Sequence, residues 1–535
     1  VYYGRGSQAS GFVISDSKLA EIDYEDAAGN ETTNHYAGSG GVRIDNFFRR
    51  AAFALSFDNL DVLLSNQITD HSRIMYNRNL MTRVEKAAPF LRYDAHPYAV
   101  IVDGQIYWIV DAYTTTDNFP YSQQADTSRV SPSSGLSSSF NYVRNSVKVV
   151  VNAYTGQMYY FVVDPSDPII RTYERAFPSL FTPGSEADRI IPGITAQFRY
   201  PQDLFEVQTN MWGRYHLTNP AQFYTEANAW NIAQDPGSGH PNTPTRSTTQ
   251  TVTGQIVLRV KLLDPEYQLA ALPGHTSQQF LLAQPFVPLS PQANRQNLTA
   301  VMYASSSQSD YGQLTLYETP SNQVVNGPRL VAQDINSNEQ ISYELTYLNQ
   351  QGSAVDLGQV VTVPIANTLL YVQPVYVSSV TNPVPELKDV IVVYDNVAYQ
   401  SGNASLDAAL CAITNPDGSQ PFERYCSTSA AERPTTAIPG PSGSTSSSGT
   451  GTSGNSGQAP PKSSPTTTVP PLSGVSAPHG TVPALLADAD QAFQQANAAL
   501  AAGNLGRYQT DVKQAEADVV AAEAESRSGH ARPSG

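Results

Sequence analysis

The chain has 535 residues, of which 15% are charged and 40% are hydrophobic, and its formal net charge is −16. This length can bury one large core or several ordinary ones, which excludes a peptide, a disulfide mini-scaffold and a wholly disordered protein. The 30 tyrosines, 35 glycines and 38 prolines favour strands joined by many turns and exclude a long coiled coil.

Charge and hydropathy restrict the partners of the chain and predict its solubility. The excess of 47 acidic over 31 basic residues would repel phosphate backbones and anionic lipid headgroups, so we expect no nucleic-acid partner. The most apolar stretches, at 106–110, 147–151 and 390–394, are of strand length, so the sequence predicts a water-soluble chain without a spanning helix. The chain starts at Val1 without a basic and then apolar leader, so we expect a longer segment to precede it.

The first elements alternate between helix and hairpin. Helical spacing between residues 44 and 64 gathers Phe47, Phe48, Ala51, Ala52 and Leu55 on one side, and a second helix at 79–88 is ended by Pro89. A hairpin is predicted at 98–110, where Asp103-Gly104 can adopt the positive φ values of a type I′ turn. Residues 147–154 and 157–163 predict another hairpin around Thr155-Gly156.

The second half of the body adds helices and further strands. A helix at 168–177 is predicted from Asp167 as its cap and Pro168 at its first position, and one at 201–217 from Pro201 and two acidic residues in its first turns. Strands are predicted at 255–262, 313–318, 341–348, 369–377 and 389–399. The fold class is therefore α+β, a mixed, strand-rich body with several helices.

Composition divides the chain into five segments. Residues 1–405 form the strand-rich body, 406–430 a disulfide-containing extension, 431–480 a flexible linker of Ser, Thr, Gly and Pro, 481–528 a C-terminal αα-hairpin, and 529–535 a disordered tail. The hairpin is predicted from apolar residues at helical spacing on both sides of Gly503 and Gly506. Two such Ala-rich helices bury too little surface to be stable alone, so they dock on the body or on another copy unless they are a frayed tail.

Cys411 and Cys426 are the only cysteines. In an oxidising compartment they would close a loop and stabilise the fold by about 3 kcal/mol, whereas in a reducing compartment they would be ordinary thiols. The low charge and the Ser/Thr/Pro-rich linker favour the disulfide and an extracytoplasmic location.

Recognisable catalytic motifs are missing from the sequence. It contains no P-loop, H-E-x-x-H motif, zinc-finger cysteine pair or G-x-S-x-G motif, and the glycine pattern at 449–454 lies in the linker, with neither strand nor helix beside it. The sequence therefore predicts no catalytic residue, no cofactor and no metal site.

The densest polar cluster consists of Asp94, His96, Asp111 and Asp117. His96 beside Asp94 or Asp111 could act as an acid/base pair on a carbohydrate-like ligand, but arginines and carboxylates in this pattern more often form structural ion pairs. A hydrolase at this cluster requires a solvent-filled cleft in which two of the carboxylates converge.

Two other groups of residues can be explained by a structural role or by a binding role. Asp164 and Asp167 could touch a hard cation, but a turn and a helix cap explain them more simply. A large aromatic set is either core or binding groove; it comprises Phe205, Met211, Trp212, Tyr215, Phe223, Tyr224 and Trp230.

Several long segments closely resemble the bacterial uncharacterised protein family UPF0182. They include SRIMYNRN at 72–79, YWIVDAYTT at 107–115, YVRNSVKVVV at 142–151, VDPSDPIIRTY at 163–173, YPQDLF at 200–205 and LYVQPVY at 370–376. The resemblance runs along essentially the whole chain, apart from the region of the two cysteines and the linker. It implies a multi-spanning membrane protein whose large water-exposed portion is this chain, and it supplies no catalytic residues.

Three functions follow as hypotheses. The leading one is a non-enzymatic extracytoplasmic domain of a cell-membrane protein that binds lipids or envelope-protein partners in envelope assembly or transport, as a homo-oligomer. The second is an envelope hydrolase that uses carboxylates of the 94–117 region. The third is a purely structural spacer, which would lack a large pocket.

Overall fold

The computed structural model describes most of residues 2–426, with gaps at 7–10, 26–29, 237–247, 253–254, 260, 276, 291–294, 321, 351, 366–367, 380–383, 403, 416 and 424–425. It also describes residues 438–439 and scattered residues between 481 and 521. The chain divides into two units, Val1–Ser444 and Thr445–Gly535. The sites below all lie in the first unit.

Helices and strands are mixed along the first unit, as the sequence predicted. The helices are α1 Phe47–Ser56, α2 Asp61–Leu64, α3 Leu80–Ala87, α4 Pro168–Ala176, α5 Ala187–Ile190, α6 Gln202–Tyr215, α7 Pro220–Thr225, α8 Pro328–Ser337, α9 Glu339–Leu348 and α10 Leu406–Ala412. The strands are β1 Val13–Ser15, β2 Glu21–Glu25, β3 Glu31–Asn34, β4 Val42–Arg43, β5 Arg73–Met75, β6 Arg92–Tyr93, β7 Tyr98–Val102, β8 Gln105–Thr116, β9 Tyr142–Asn152, β10 Met158–Val162, β11 Phe181–Pro183, β12 Trp230–Ile232, β13 Thr248–Val252, β14 Gln255–Arg259, β15 Glu266–Ala270, β16 Gln279–Pro288, β17 Ala300–Ser305, β18 Leu314–Glu318, β19 Ser353–Leu357, β20 Val361–Ile365, β21 Thr368–Ser379, β22 Glu386–Tyr394, β23 Val397–Gln400 and β24 Ile438–Pro439.

The strands form three larger sheets and three small ones. The first large sheet has the order β11-β10-β9-β8-β6 with β7 beside β8, and only its β10–β11 pair is parallel. The second has the order β12-β16-β17-β18 with β15 beside β16, and the third has the order β19-β21-β22-β23-β24 with β20 beside β21. The small sheets are β1-β5-β4, β2-β3 and β13-β14.

The first large sheet confirms both predicted hairpins and corrects one turn. Asp103 and Gly104 have φ values of 49° and 72°, which a type I′ turn between β7 and β8 requires. The second hairpin has a longer loop than predicted, because β9 ends at Asn152. The Asn152 side chain accepts hydrogen bonds from the N–H groups of Tyr154 and Thr155, and this Asx turn withdraws them from the ladder.

Helix α6 is buried between the first two large sheets. One apolar core joins Tyr113 of β8, Phe205 of α6 and Phe286 of β16. The predicted aromatic set is therefore only partly core. Phe205 is fully buried, whereas Tyr215 is 43% exposed and Tyr224 84% exposed.

The helices predicted at 79–88, 168–177 and 201–217 begin and end close to their expected positions, whereas the helical spacing at 44–64 is divided into α1 and α2 by a break at which Asp58 has a φ of 51°. The apolar side of α1 does not face the core. Phe47, Phe48 and Leu55 are largely exposed, and Ala54 is the buried residue of this helix. Helix α4 begins after Asp167, as predicted, with Pro168 in its first turn.

Two of the predicted strands are wrong. Residues 341–348 belong to α9, because the Asn338 side chain accepts the N–H groups of Gln340 and Ile341 and caps a helix. Residues 389–399 form a hairpin rather than one strand, since Asp395 and Asn396 take φ values of 49° and 61° between β22 and β23. Short apolar runs do not distinguish these alternatives.

The C-terminal segments are described only in part. Residues 438–439, within the predicted linker, pair with β23 as strand β24, and the other residues of that linker lie outside the description. The described residues between 484 and 521 are all helical, but the others lie outside the description, and the αα-hairpin stays a prediction. The same holds for the predicted segment boundaries. No helix in the described part of the chain has the length and apolar character needed to cross a bilayer.

Candidate functional site

Asp94 and His96 lie in the turn between β6 and β7. The Asp94 N–H donates to the carbonyl of Asp111 on β8 at 3.0 Å, which places the turn against the sheet. Asp94 is 2% exposed, whereas the His96 side chain is 40% exposed. The N–H of His96 donates to Asp94 Oδ1 at 2.7 Å, so the turn also holds its own carboxylate in place.

A second carboxylate reaches this turn from the first turn of α6. The Asp203 N–H donates to Asp94 Oδ2 at 3.1 Å, and the Ala95 N–H donates to Asp203 Oδ2 at 2.7 Å. The Tyr113 hydroxyl also donates to Asp94 Oδ2, at 2.5 Å. Asp94 thus accepts an N–H at the start of a helix, where the helix dipole stabilises negative charge.

His96 faces both carboxylates. Its Nδ1 lies 3.0 Å from Asp203 Oδ1 and 3.3 Å from Asp94 Oδ1. Asp203, which is fully buried, has no well-aligned hydrogen-bond donor at Oδ1 among the described residues, so the short approach of Nδ1 is an ion-pair contact rather than a directed bond. The carboxylates of Asp203 and then Asp94 raise the pKa of His96 to about 10.

Asp111, on β8, forms a different contact, with a residue of the neighbouring strand β9. It is paired with the ammonium of Lys148, which is fully buried and also donates to the Arg199 carbonyl at 2.5 Å. Asn145 Nδ2 donates to Asp111 Oδ1 at 3.0 Å. Burial raises the pKa of Asp111 and lowers the pKa of Lys148, since both charged forms lose their hydration.

The predicted polar cluster is therefore not one site. Asp94 and His96 come together, Asp111 is enclosed by Lys148 and Asn145, and Asp117 is exposed beside Asn118. This arrangement speaks against the hydrolase hypothesis, because Asp111 is held by Lys148 and Asn145 and Asp117 lies apart at the surface.

Two residues at these contacts escaped the sequence-based reading. Asp203 was interpreted only as an acidic residue in the first turns of a helix. Lys148 carried a stronger signal, since a lone charge between the valines of a β-branched run indicates a buried counter-charge. In neither case does the sequence show the partner.

Asp164 and Asp167 have the structural roles that were predicted. Asp164 accepts the Ser166 N–H in a turn, and Asp167 accepts the N–H groups of Ile169 and Ile170 as the cap of α4. Asp167 further accepts the hydroxyls of Thr114, Ser146 and Tyr142.

Cys411 and Cys426 are bonded in the structure, with their Cα atoms 4.9 Å apart. This spacing lies within the usual range for a disulfide. Whether the bond forms in the natural compartment stays a prediction.

The cavities on the described part of the body include the following two. One, of about 560 Å³, is lined by Lys148, Phe198 and Tyr311 among others. The other, of about 690 Å³, lies where β17 and β18 of the second large sheet meet β20 and β21 of the third. The apolar and aromatic part of its wall is formed by Leu298, Val301, Tyr303, Tyr317, Leu369 and Tyr371.

The polar rim of the larger cavity is acidic. Glu318 and Asp395 line it, and both are exposed. Inside, the hydroxyls of Tyr317 and Tyr371 donate to the carbonyls of Pro273 and Asn326. The Tyr303 hydroxyl forms no well-aligned hydrogen bond among the described residues, although the Gln268 side chain lies close to it.

Comparison with known proteins identifies the family. A model of an uncharacterised protein family, UPF0182, matches residues 1–348. A UPF0182 protein of Trichodesmium erythraeum is 37% identical over 403 residues, which are 74% of this chain and 41% of that protein. One of Moorella thermoacetica is 38% identical over 396 residues, or 74% of this chain and 39% of that protein. The chain thus spans about two fifths of the length of these relatives, and no solved structure matches it. The chain belongs to the uncharacterised protein family UPF0182.

Proposed function

We propose that this chain is the extracytoplasmic, ligand-binding part of a bacterial membrane protein and that it binds an amphiphile with an apolar chain and an amine-bearing headgroup. The cavity of 690 Å³ carries this proposal. Its size lies within the range of small-molecule sites, and its wall combines apolar and aromatic side chains with several polar ones. A purely structural spacer gives no reason for a cavity of this kind.

The chemistry of the wall selects the ligand class. An apolar chain would replace water against Leu298, Val301 and Leu369, with a gain of about 25 cal/mol for each Å² of apolar surface removed from water. The buried ring of Tyr303 also lines the cavity, and its hydroxyl lies beside the Gln268 side chain.

The rim selects the headgroup. Glu318 and Asp395 favour a cationic or zwitterionic amine over a phosphate or carboxylate without a positive charge. The net charge of −16 acts in the same direction. The ligand class is therefore a phosphatidylethanolamine-like lipid or another amine-bearing amphiphile.

The binding test uses fluorescent phosphatidylethanolamine and a matched pair of variants. Val324 lines the cavity and is 79% exposed, while Val384 is 63% exposed and is not among the cavity-lining residues. We expect Val324→Lys to weaken binding at least tenfold, about 1.4 kcal/mol, because a positive charge at the rim repels the amine of the headgroup. Val384→Lys should bind like the wild type.

A second variant closes the cavity from within. Leu369→Trp should abolish binding by filling space, with Leu387→Trp as a control on a strand face outside the cavity. Absence of lipid binding by the wild type, or equal binding by Val324→Lys and Val384→Lys, would reject the proposed function.

The location is tested in the natural gene product. Tyr343 is 75% exposed, so Tyr343→Cys should react with a membrane-impermeant maleimide in intact cells. Labelling that occurs only after permeabilisation would contradict an extracytoplasmic position.

Light scattering of the same purified protein tests the expected homo-oligomer, which requires a mass that is a multiple of the protomer mass.

A further inference from the structure

We propose that Asp94, His96 and Asp203 bind a divalent transition-metal ion such as Zn²⁺ or Mn²⁺. Each residue offers one ligand atom, and the three atoms lie within 4.8 Å of one another. Bonds of about 2.0 to 2.2 Å from a metal to nitrogen and oxygen place neighbouring ligand atoms roughly 3 to 3.5 Å apart. The distances of 3.0 Å and 3.3 Å from His96 Nδ1 to the two carboxylates already have this size.

The buried oxygen of Asp203 provides a second observation. Asp203 is fully buried, and its Oδ1 is in ion-pair contact with His96 Nδ1 but accepts no well-aligned hydrogen bond within the described part of the chain. A buried carboxylate oxygen held by one poorly aligned contact is costly, and such groups in proteins usually have a better partner. A metal ion bound between Oδ1 and Nδ1 would contact the carboxylate oxygen without requiring an aligned N–H donor.

The outer contacts hold both carboxylates ready for an ion. Asp203 Oδ2 is occupied by the Ala95 N–H, and Asp94 Oδ2 by the Tyr113 hydroxyl and the Asp203 N–H. Each carboxylate turns its Oδ1 towards His96 Nδ1, and Asp94 Oδ1 also accepts the His96 N–H at 2.7 Å. Hydrogen bonds of this outer kind orient metal ligands and strengthen binding.

Charge balance and ligand type define the ion. Two buried carboxylates carry two negative charges, which a divalent cation neutralises and a single protonated imidazole does not. An imidazole nitrogen with two carboxylates suits Zn²⁺ or Mn²⁺, whereas Mg²⁺ and Ca²⁺ prefer oxygen ligands alone. Three protein ligands leave a coordination position open for water. His96, with 40% of its side chain exposed, provides the entry from solvent.

The test is equilibrium dialysis of the tag-free chain against Zn²⁺, Mn²⁺ and Mg²⁺, followed by elemental analysis. We expect one equivalent of Zn²⁺ or Mn²⁺, at least tenfold weaker retention of Mg²⁺, and a higher melting temperature with the bound ion. His96→Gln should weaken binding at least tenfold. The control is His71→Gln, since His71 is an exposed histidine outside the cluster.

A structural ion pair makes the opposite prediction. In that case His96→Gln would lower stability without changing metal content, and the wild type would retain no stoichiometric Zn²⁺ or Mn²⁺. Either outcome overturns the proposal, as does equal loss of binding in His71→Gln. Because His96 is only half buried, His96→Gln gives a result even where Asp203→Asn fails to fold.

Discussion

The buried ammonium of Lys148 contacts the carboxylate of Asp111, which lies directly opposite it in the register of β8 and β9. Lys148 is fully buried and Asp111 is 4% exposed, so each charge depends on the other for compensation. The Asp111 carboxylate therefore belongs to the contact with Lys148 rather than to the contact between His96 and Asp94.

Breaking this pair should be strongly destabilising. We expect Lys148→Met to lower the free energy of unfolding by roughly 3 to 5 kcal/mol, because it leaves the Asp111 charge buried without a partner. The double variant Lys148→Met/Asp111→Leu should recover much of the loss. Arg49→Met, which breaks the exposed pair with Asp45, should change stability by less than about 1 kcal/mol. Urea unfolding of the four proteins measures the differences, and a double variant no more stable than Lys148→Met would contradict this reading.

The Asp167 carboxylate should be a major stabilising group of α4. Asp167→Ala removes the helix cap and leaves the Thr114 and Ser146 hydroxyls without their acceptor, so we expect a loss of roughly 2 to 4 kcal/mol. Hydrogen exchange should show the loss in α4 first. Ser405→Ala, at the cap of the shorter helix α10, should cost only about 1 kcal/mol.

The Asp167 carboxylate also makes the stability of the fold depend on pH. Burial acts to raise the pKa of Asp167, but the hydrogen bonds from Thr114 and Ser146 outweigh it and lower the pKa below its usual value. The folded state therefore binds the proton less tightly than the unfolded state. The contribution of Asp167 is present above the unfolded pKa near 3.8 and is lost as the pH falls through the folded pKa. Melts of wild type and Asp167→Ala should converge as the pH is lowered through this range.

Glu206 should produce the opposite pH dependence. It is 4% exposed, and burial raises its pKa to about 7, against the attraction of Arg129. The folded state binds this proton more tightly than the unfolded state, so the stability from Glu206 declines as the pH rises from about 4.5 to about 7. Glu206→Gln should reduce the change in the free energy of unfolding over this pH range by roughly 1 to 3 kcal/mol. Glu85→Gln, on an exposed position of α3, serves as the control, and an unchanged slope in Glu206→Gln would contradict the assignment.

Two glycines with the same backbone angle should respond differently to alanine. Gly104 and Gly156 both have a φ of 72°, but a Cβ at Gly104 meets nothing within 4 Å, whereas one at Gly156 would lie 2.4 Å from the buried Tyr3 ring. Gly104→Ala should therefore cost about 1 kcal/mol from backbone strain alone, and Gly156→Ala should cost at least 1 to 2 kcal/mol more. Equal melting temperatures of the two variants would show that the Tyr3 ring yields.

The sequence predicted features that depend on a few neighbouring residues. The turn at Asp103-Gly104 follows from the φ values these residues tolerate, and the start of α4 follows from Asp167 and Pro168. The α+β class and the family resemblance were likewise visible before the structure. The error at residues 341–348 arose because a short apolar run fits both a strand and a helix, and the cap at Asn338 was not taken into account.

Contacts between distant segments were decided by the tertiary structure alone. Asp203 meets Asp94 across 109 positions of the chain, and Lys148 meets Asp111 only because β8 and β9 pair in one particular register. A one-residue slip of that register would turn Lys148 to the other face of the sheet. Local propensities act through neighbours in sequence, whereas the ion pairs and the cavity depend on how whole sheets and helices pack. For that reason the sequence determined local turns, helix caps and the family, and the packing determined which charges meet and where the cavities lie.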